Sequence, residues 1–462
     1  MQTVNDLFAN LSALLWGWPM IILLLGTHLF LTIRLRFPQR QLLTAIRLSV
    51  KRDKHSTGDV SQFGALATAL AATIGTGNIV GVATAVAMGG PGAVLWCWLT
   101  GVFGIATKYG EALLAIKYRV KTPGGKMLGG PMYALERGLG WRWAGALFAI
   151  FTAIAAFGIG NTVQANAIST LVHQSFGLSP VATGVILCLL TAAVVLGGVR
   201  SIARVCTMFV PLMAILYVAG CLYILCVNHA YVWPALQLIC ESAFRPQAAG
   251  AGFAGGTVML AARYGIARGL FSNESGLGSA PIVAAAAQTR NPVRQALVSS
   301  SGTFWDTVVI CALTGLVIVS SVLAFPDIDY QDGAELTHAA FTKIPVIGAP
   351  LLTFGLITFA FSTILGWCYY GERAMEYLKG RKWMLAYRVL YILAVFAGSV
   401  ANLAIVWNVA DCMNALMAIP NLVSLLLLSG VIVRETREFL WSGRLDEEAP
   451  AKVSSPPEEK RD

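Results

Sequence analysis

The chain has 462 residues, of which 56% are hydrophobic and only 12% charged, with a mean hydropathy of +0.69. Soluble domains carry roughly 25% charged residues, so a water-soluble surface is excluded, and with it soluble catalytic folds, secreted disulfide scaffolds and nucleic-acid binding. The net charge of +10 must therefore be read from where the basic residues lie.

Apolar runs between charged or Pro/Gly-rich breaks define eleven spans, about 11–33, 62–88, 92–116, 143–172, 180–199, 205–228, 252–287, 303–325, 346–370, 384–403 and 408–433. Runs of this length cross a hydrocarbon core of roughly 30 Å. Only helices satisfy their own backbone there, which predicts an all-α polytopic membrane protein. The first run, Leu11 to Ile33, is too long for a cleavable signal peptide and has no basic segment before it, so it should stay as an anchor. Alternating the connections between the two sides puts 28 of the 33 Lys and Arg on one side and only Arg245 and Lys343 on the other. The positive-inside rule makes the basic side cytoplasmic, with the amino terminus outside and the carboxyl terminus inside a bacterial-type plasma membrane. The acidic connection with Asp327, Asp329, Asp332 and Glu335 falls outside. The nine cysteines sit mostly in apolar stretches without metal-ligand spacing and read as small hydrophobes. The tail from Arg434 to Asp462 ends in a Pro/Glu/Lys/Ser-rich stretch expected to be disordered.

Two long spans are interrupted at mid-depth. One reads AATIGTGNI from Ala71 to Ile79, the other GLFSNESGLG from Gly269 to Gly278. Glycine costs about 1 kcal/mol against alanine in a helix, and Asn or Ser beside it competes for backbone hydrogen bonds. Unwound segments are expected at 75–78 and 271–278. For the first, a small-residue packing face of Gly77 and Gly81 is the alternative. The breaks fall in the second and seventh spans, five apart, so the two helices run in opposite directions. That is the pointer to an inverted-repeat secondary transporter. It divides the chain into an extra helix and basic loop (1–58), a first five-helix repeat (59–228), a second (229–433) and the tail (434–462).

The run GALATALAATIGTGNIVGVATAVAMGGPGAVLWCWLTG from Gly64, followed by Lys108-Tyr109-Gly110-Glu111, resembles the alanine or glycine:cation symporter family, as does GIARGLFSNESGLGSAPI from Gly265 to Ile282. The resemblance covers nearly the whole chain and weakens only in the tail. It implies a LeuT-like fold and co-transport of small neutral amino acids with Na⁺, the ion being cargo and no cofactor being needed. It also implies that Thr76 and Gly77 contact the substrate carboxylate, and that Ser362 and Thr363, with the carbonyls of Ala71 and Ile74, form a sodium site.

The residues themselves support part of this. A half-helix starting near Gly77 and Asn78 offers free N–H groups and a positive dipole end to a carboxylate. Ser362 and Thr363 lie mid-span opposite that break, although each hydroxyl could equally bond its own i−4 carbonyl. Trp367, one turn beyond Thr363, and Phe271 could wall a small pocket or simply pack helices. Gln164 is the candidate substrate contact on the fourth span, where Asn161 and Gln164 could also bond neighbouring helices. Thr73, Asn78, Ser272 and Glu274 are candidates for a second cation site or for stabilising the breaks. Lys108 and Glu111 read as a snorkelling pair, and Asp306 as a helix cap. Arg263 or Arg268 with Asp411 would form an outer gate. Proton coupling through Glu274 is the alternative within transport. A channel lacks a ring-forming filter repeat, and an enzyme lacks a metal-spaced His cluster or nucleophile–base motif.

Overall fold

A computed structural model of the protein describes residues 2–51, 57–245, 257–328, 333–401 and 404–449. Among these, seven helices are long and apolar enough to cross a membrane, or eight when the bent pair Gln62–Thr73 and Gly77–Gly89 is one span. The helices Ala93–Lys117, Pro180–Val195 and Val258–Asn273 stand at the remaining expected positions. The first carries Lys108, Glu111 and Lys117, and the other two have 16 residues each. Length and apolarity therefore support fewer spans than the eleven expected. The one sheet among the described residues is a two-stranded antiparallel hairpin, Val120–Lys121 with Met127–Leu128, in the basic connection.

The first broken helix bends by 56°. Helix Gln62–Thr73 ends where Ile74 turns to ψ 96°, and the chain re-enters through a π-helical turn, Gly77–Gly81, before helix Val82–Gly89. The second runs as helix Val258–Asn273 and stops at Glu274, which is left-handed with φ 53°. Gly276 (φ 98°) and Gly278 (φ 84°) carry the chain through conformations that side chains resist, and a short helix, Pro281–Ala284, follows. The helical part thus reaches Asn273, further than the expected 271–278 interruption, and ends where Glu274 turns left-handed.

The start of the first broken helix and the end of the second are tied together. The N–H groups of Asp59 and Val60 donate to Ala286 O at 2.8 and 3.2 Å, and Gln288 N donates to Val60 O at 2.8 Å. Arg119 donates to Ala285 O and Ala287 O at 3.2 and 2.9 Å.

The tail departs from the expected disorder over its first part. Helix Ser429–Thr436 and the π-helical turn Arg437–Trp441 extend it, and residues 442–449 then lie along 290–294. Asn291 Nδ2 donates to Leu445 O and Glu447 O, both at 2.9 Å, Ala449 N to Arg290 O at 3.0 Å, and Arg294 pairs with Asp446. Composition could not reveal this because the partners belong to a loop far away in sequence. Residues 450–462, like Asp329 and Asp332, lie outside the described residues.

The Arg294 guanidinium holds the Asp446 carboxyl below the usual carboxylate range. The stabilisation is therefore present above the unfolded value and is lost as pH falls through the lowered folded value, below about 4. Asp446→Asn should accelerate amide hydrogen exchange across 442–449 at neutral pH, and acidification should lower the protection of the same amides in the unmodified protein, measured against the intrinsic rate at each pH. Unchanged exchange in the variant would show that the remaining bonds, including those of Asn291, hold the segment without the ion pair.

Candidate functional site

At the first break the freed Gly75 N–H donates to Asn78 Oδ1 at 2.9 Å, so the asparagine side chain replaces a missing helix bond. Thr76 and Gly77 open the next helical segment, whose first N–H groups have no partner within their own helix. Gly75 is required by its neighbours: a Cβ there would lie 2.7 Å from Thr363 Oγ1.

Helix Gly348–Lys379 brings its hydroxyl pair to this point. Ser362 Oγ lies 3.1 Å from Ala71 O and 2.9 Å from Phe359 O, and Thr363 Oγ1 lies 3.3 Å from Ile74 O and 3.0 Å from Phe359 O. Each hydroxyl thus faces both a carbonyl of its own helix, i−3 for Ser362 and i−4 for Thr363, and a carbonyl of the break. A hydroxyl has one proton, so in each case one oxygen pair faces without a hydrogen between. An oxygen-seeking cation relieves that repulsion.

The second break presents Glu274, buried, with Oε1 accepting from Trp367 Nε1 at 3.1 Å and Oε2 from Ser279 Oγ. Together the two breaks, Gln164 and Trp367 line a narrow polar cavity of about 20 Å³, room for a water molecule. Thr73, Thr76, Gly77, Gln164, Phe271, Ser272, Glu274, Thr363 and Trp367 all line it. Trp367 is seated by a glycine, since a Cβ on Gly160 would lie 2.2 Å from the Trp367 Cβ. Gln164 Nε2 donates to Ile159 O at 3.0 Å, which fixes the amide and leaves Oε1 buried without a hydrogen-bond partner. Asn161 instead bonds across helices, to Tyr391 O at 2.7 Å.

Sequence reasoning missed Asn414, which lines the cavity and whose buried Oδ1 also lacks a hydrogen-bond partner among the described residues. It was detectable as a polar residue inside the last span. Asp306 is no helix cap. It sits in a π-helical stretch, Phe304–Cys311, and accepts from Asn78 Nδ2 at 2.7 Å, Ser272 Oγ at 3.0 Å and Thr307 Oγ1 at 2.6 Å. One carboxylate thus joins both broken helices. Lys108 and Glu111 do not snorkel. Both are buried, with Lys108 Nζ donating to Asn273 O at 2.8 Å. They face the protein interior, and depth along a span says nothing about which way a side chain faces.

Among the described residues no ion pair within 4.0 Å joins Asp411 to Arg263 or Arg268. Arg263 lies over the Tyr264 ring at 5.6 Å, while the field of Arg268 reaches the Asp411 carboxylate.

A helical bundle with two midpoint breaks around a buried polar cavity is the architecture of multi-pass secondary transporters with the LeuT-like fold. Solved structures of that class resemble it. MhsT in complex with L-phenylalanine superimposes with a TM-score of 0.54 at 15% identity, covering 82% of this chain and 98% of that one. A Na⁺-coupled sialic acid symporter gives 0.50 at 11% identity, covering 91% and 86%. At such identities these show the fold alone. The sequence profile of the sodium:alanine symporter family matches residues 1–453. The sodium/alanine symporter AgcS of Methanococcus maripaludis is 51% identical over 94% of this chain and 97% of its own, and the amino-acid carrier protein AlsT of Bacillus subtilis is 34% identical over 94% and 92%. The chain belongs to the sodium:alanine symporter family.

Close approach of helix Gly348–Lys379 to the first break depends on Gly366, where a Cβ would meet Ala72 Cβ, N and Cα at 2.7 to 2.9 Å. Backbone atoms cannot step aside cheaply, so Gly366→Ala should cost about 1–3 kcal/mol by overpacking and weaken the thermal stabilisation that Na⁺ confers. Gly26→Ala, with open space around it, is the control and should not lower the melting temperature. Melting curves in detergent with and without Na⁺ check both.

Proposed function

We propose that the protein carries small neutral amino acids, alanine or glycine, into the cell together with Na⁺, by alternating access around the two broken helices. The observation that carries this reading is the Ser362 and Thr363 hydroxyl pair set against the carbonyls of Ala71 and Ile74. Na⁺ is a hard cation that takes oxygen ligands, and these four oxygens are its site. The substrate carboxylate lies at the N–H groups of Thr76 and Gly77, where the helix dipole favours an anion. Its ammonium faces the unpartnered oxygens of Gln164 and Asn414, because burying three N–H donors without acceptors would cost several kcal/mol. Phe271 and Trp367 wall the narrow cavity, which favours a substrate with a small side chain, and Thr363 serves both ion and substrate.

Thr73, Asn78, Ser272 and Glu274 hold the breaks in shape or take a second cation. Arg263 or Arg268 with Asp411 closes the outer side at another stage of the cycle. The basic connections and the carboxyl terminus face the cytoplasm, and the membrane is the bacterial-type plasma membrane.

Uptake of labelled alanine into proteoliposomes tests the reading directly. Accumulation should require an inward Na⁺ gradient at fixed pH. Accumulation driven by a pH gradient with no Na⁺ present would replace Na⁺ by protons carried on Glu274, and no gradient-dependent uptake would overturn the proposal. Thr363→Ala removes one oxygen from a desolvated ion, which by analogy with an unmade buried hydrogen bond costs about 1–3 kcal/mol, a roughly 5- to 150-fold rise in half-saturating Na⁺. Thr363→Ser keeps the oxygen and should retain most activity. An unchanged Na⁺ half-saturation in the alanine variant would remove Thr363 from the site.

A further inference from the structure

The turn 274–280 leaves polar backbone groups at membrane depth, where each needs a partner from the protein. Partners for several of them come from helix Ala93–Lys117 and from Asn421. Lys108 Nζ donates to Asn273 O at 2.8 Å, the carbonyl at the negative end of helix Val258–Asn273. Three residues on, Glu111 Oε1 accepts from Gly276 N and Gly278 N, both at 3.0 Å. Asn421 closes the arrangement, its Nδ2 donating to Glu111 Oε1 at 2.7 Å and to Gly276 O at 2.8 Å. A cation thus meets freed carbonyls and an anion meets freed N–H groups, with Lys108 3% and Glu111 2% exposed. Neither residue lines the cavity.

We infer that Lys108 and Glu111 are positioning residues for substrate binding: they hold the turn that follows Asn273, and through it the aim of Phe271, Ser272 and Glu274 into the cavity. The inference rests on the function proposed above. It makes an asymmetric demand, because the oxygens assigned to Na⁺ belong to the first break and to helix Gly348–Lys379, which Glu111 does not touch. Disturbing Glu111 disturbs substrate recognition first and reaches the ion only through the Ser272–Asp306–Asn78 link.

The experiment is Glu111→Gln, which keeps the shape and removes the charge. Charge-assisted bonds to two backbone N–H groups are weakened, so half-saturating alanine at saturating Na⁺ should rise roughly 10- to 100-fold. Na⁺-dependent thermal stabilisation without amino acid should keep its midpoint within about two-fold, since no sodium ligand has moved. Amide exchange at Gly276 and Gly278 should accelerate while that at 75–78 stays as it was. The exchange measurement is independent of transport, so it separates failure of this inference from failure of the proposed function, which the unmodified protein tests in the same uptake assay. Unchanged alanine affinity overturns the inference, as does an equal loss of Na⁺ and alanine binding in a folded variant. Should Glu111→Gln not fold, Asn421→Ala carries the test, with the same pattern at smaller amplitude expected and unchanged alanine affinity again overturning it.

Discussion

Backbone amides at the midplane of a bilayer have no water to bond, and the architecture of this protein follows from meeting that demand twice. A continuous helix meets it internally. Where Ile74 and Glu274 leave the helical path, the released groups must be satisfied by side chains from other helices or offered to a ligand. The two breaks solve this differently. The first is repaired locally, by Asn78 reaching back to Gly75 N, so that neighbouring carbonyls stay available. The second is repaired from outside, by Lys108, Glu111 and Asn421, in a turn with two glycines at positive φ.

Asp306 connects these solutions. Its carboxylate takes hydrogen bonds from Asn78 at the first break and Ser272 at the second. A shift of one broken helix is therefore felt by the other without any contact through the cavity. Truncating a buried partner of this kind leaves an unsatisfied group, costing about 1–3 kcal/mol and more where charge is involved, so the link resists independent movement of the two helices.

What the sequence disclosed was local. Gly75, Gly77 and Asn78 in one span, and Ser275, Gly276 and Gly278 in another, weaken helices wherever they stand, so the interruptions could be read from residue type and spacing. Depth followed from runs of apolar residues, and the distribution of Lys and Arg supports the sidedness proposed above. Direction around a helix axis did not. Lys108 and Glu111 look like residues near the end of a span until helix Val258–Asn273 is packed against them, and the partner of Lys108 is 165 residues away. Asp306 was hidden for the same reason, its partners Asn78 and Ser272 standing on other helices, whereas Asn414 showed only as one polar residue in an apolar run. The docked segment 442–449 was invisible because its composition is that of a solvated tail and its attachment lies in the 290–294 loop.

Coupling between ion and amino acid has a physical origin in the shared first break. In the proposed site Ala71 and Ile74 turn their carbonyls to the ion, while Thr76 and Gly77, two and three residues beyond Ile74, turn their N–H groups to the substrate. A peptide segment this short cannot set one end without constraining the other. Each Ser362 or Thr363 proton goes either to Phe359 O or to the break, so a cation drawing both hydroxyl oxygens commits the protons to their own helix and fixes Ile74. Fixing Ile74 orders the N–H groups that follow it. The entropy of ordering that segment is then spent once for two ligands, and linkage requires that each raise the affinity of the other by the same factor.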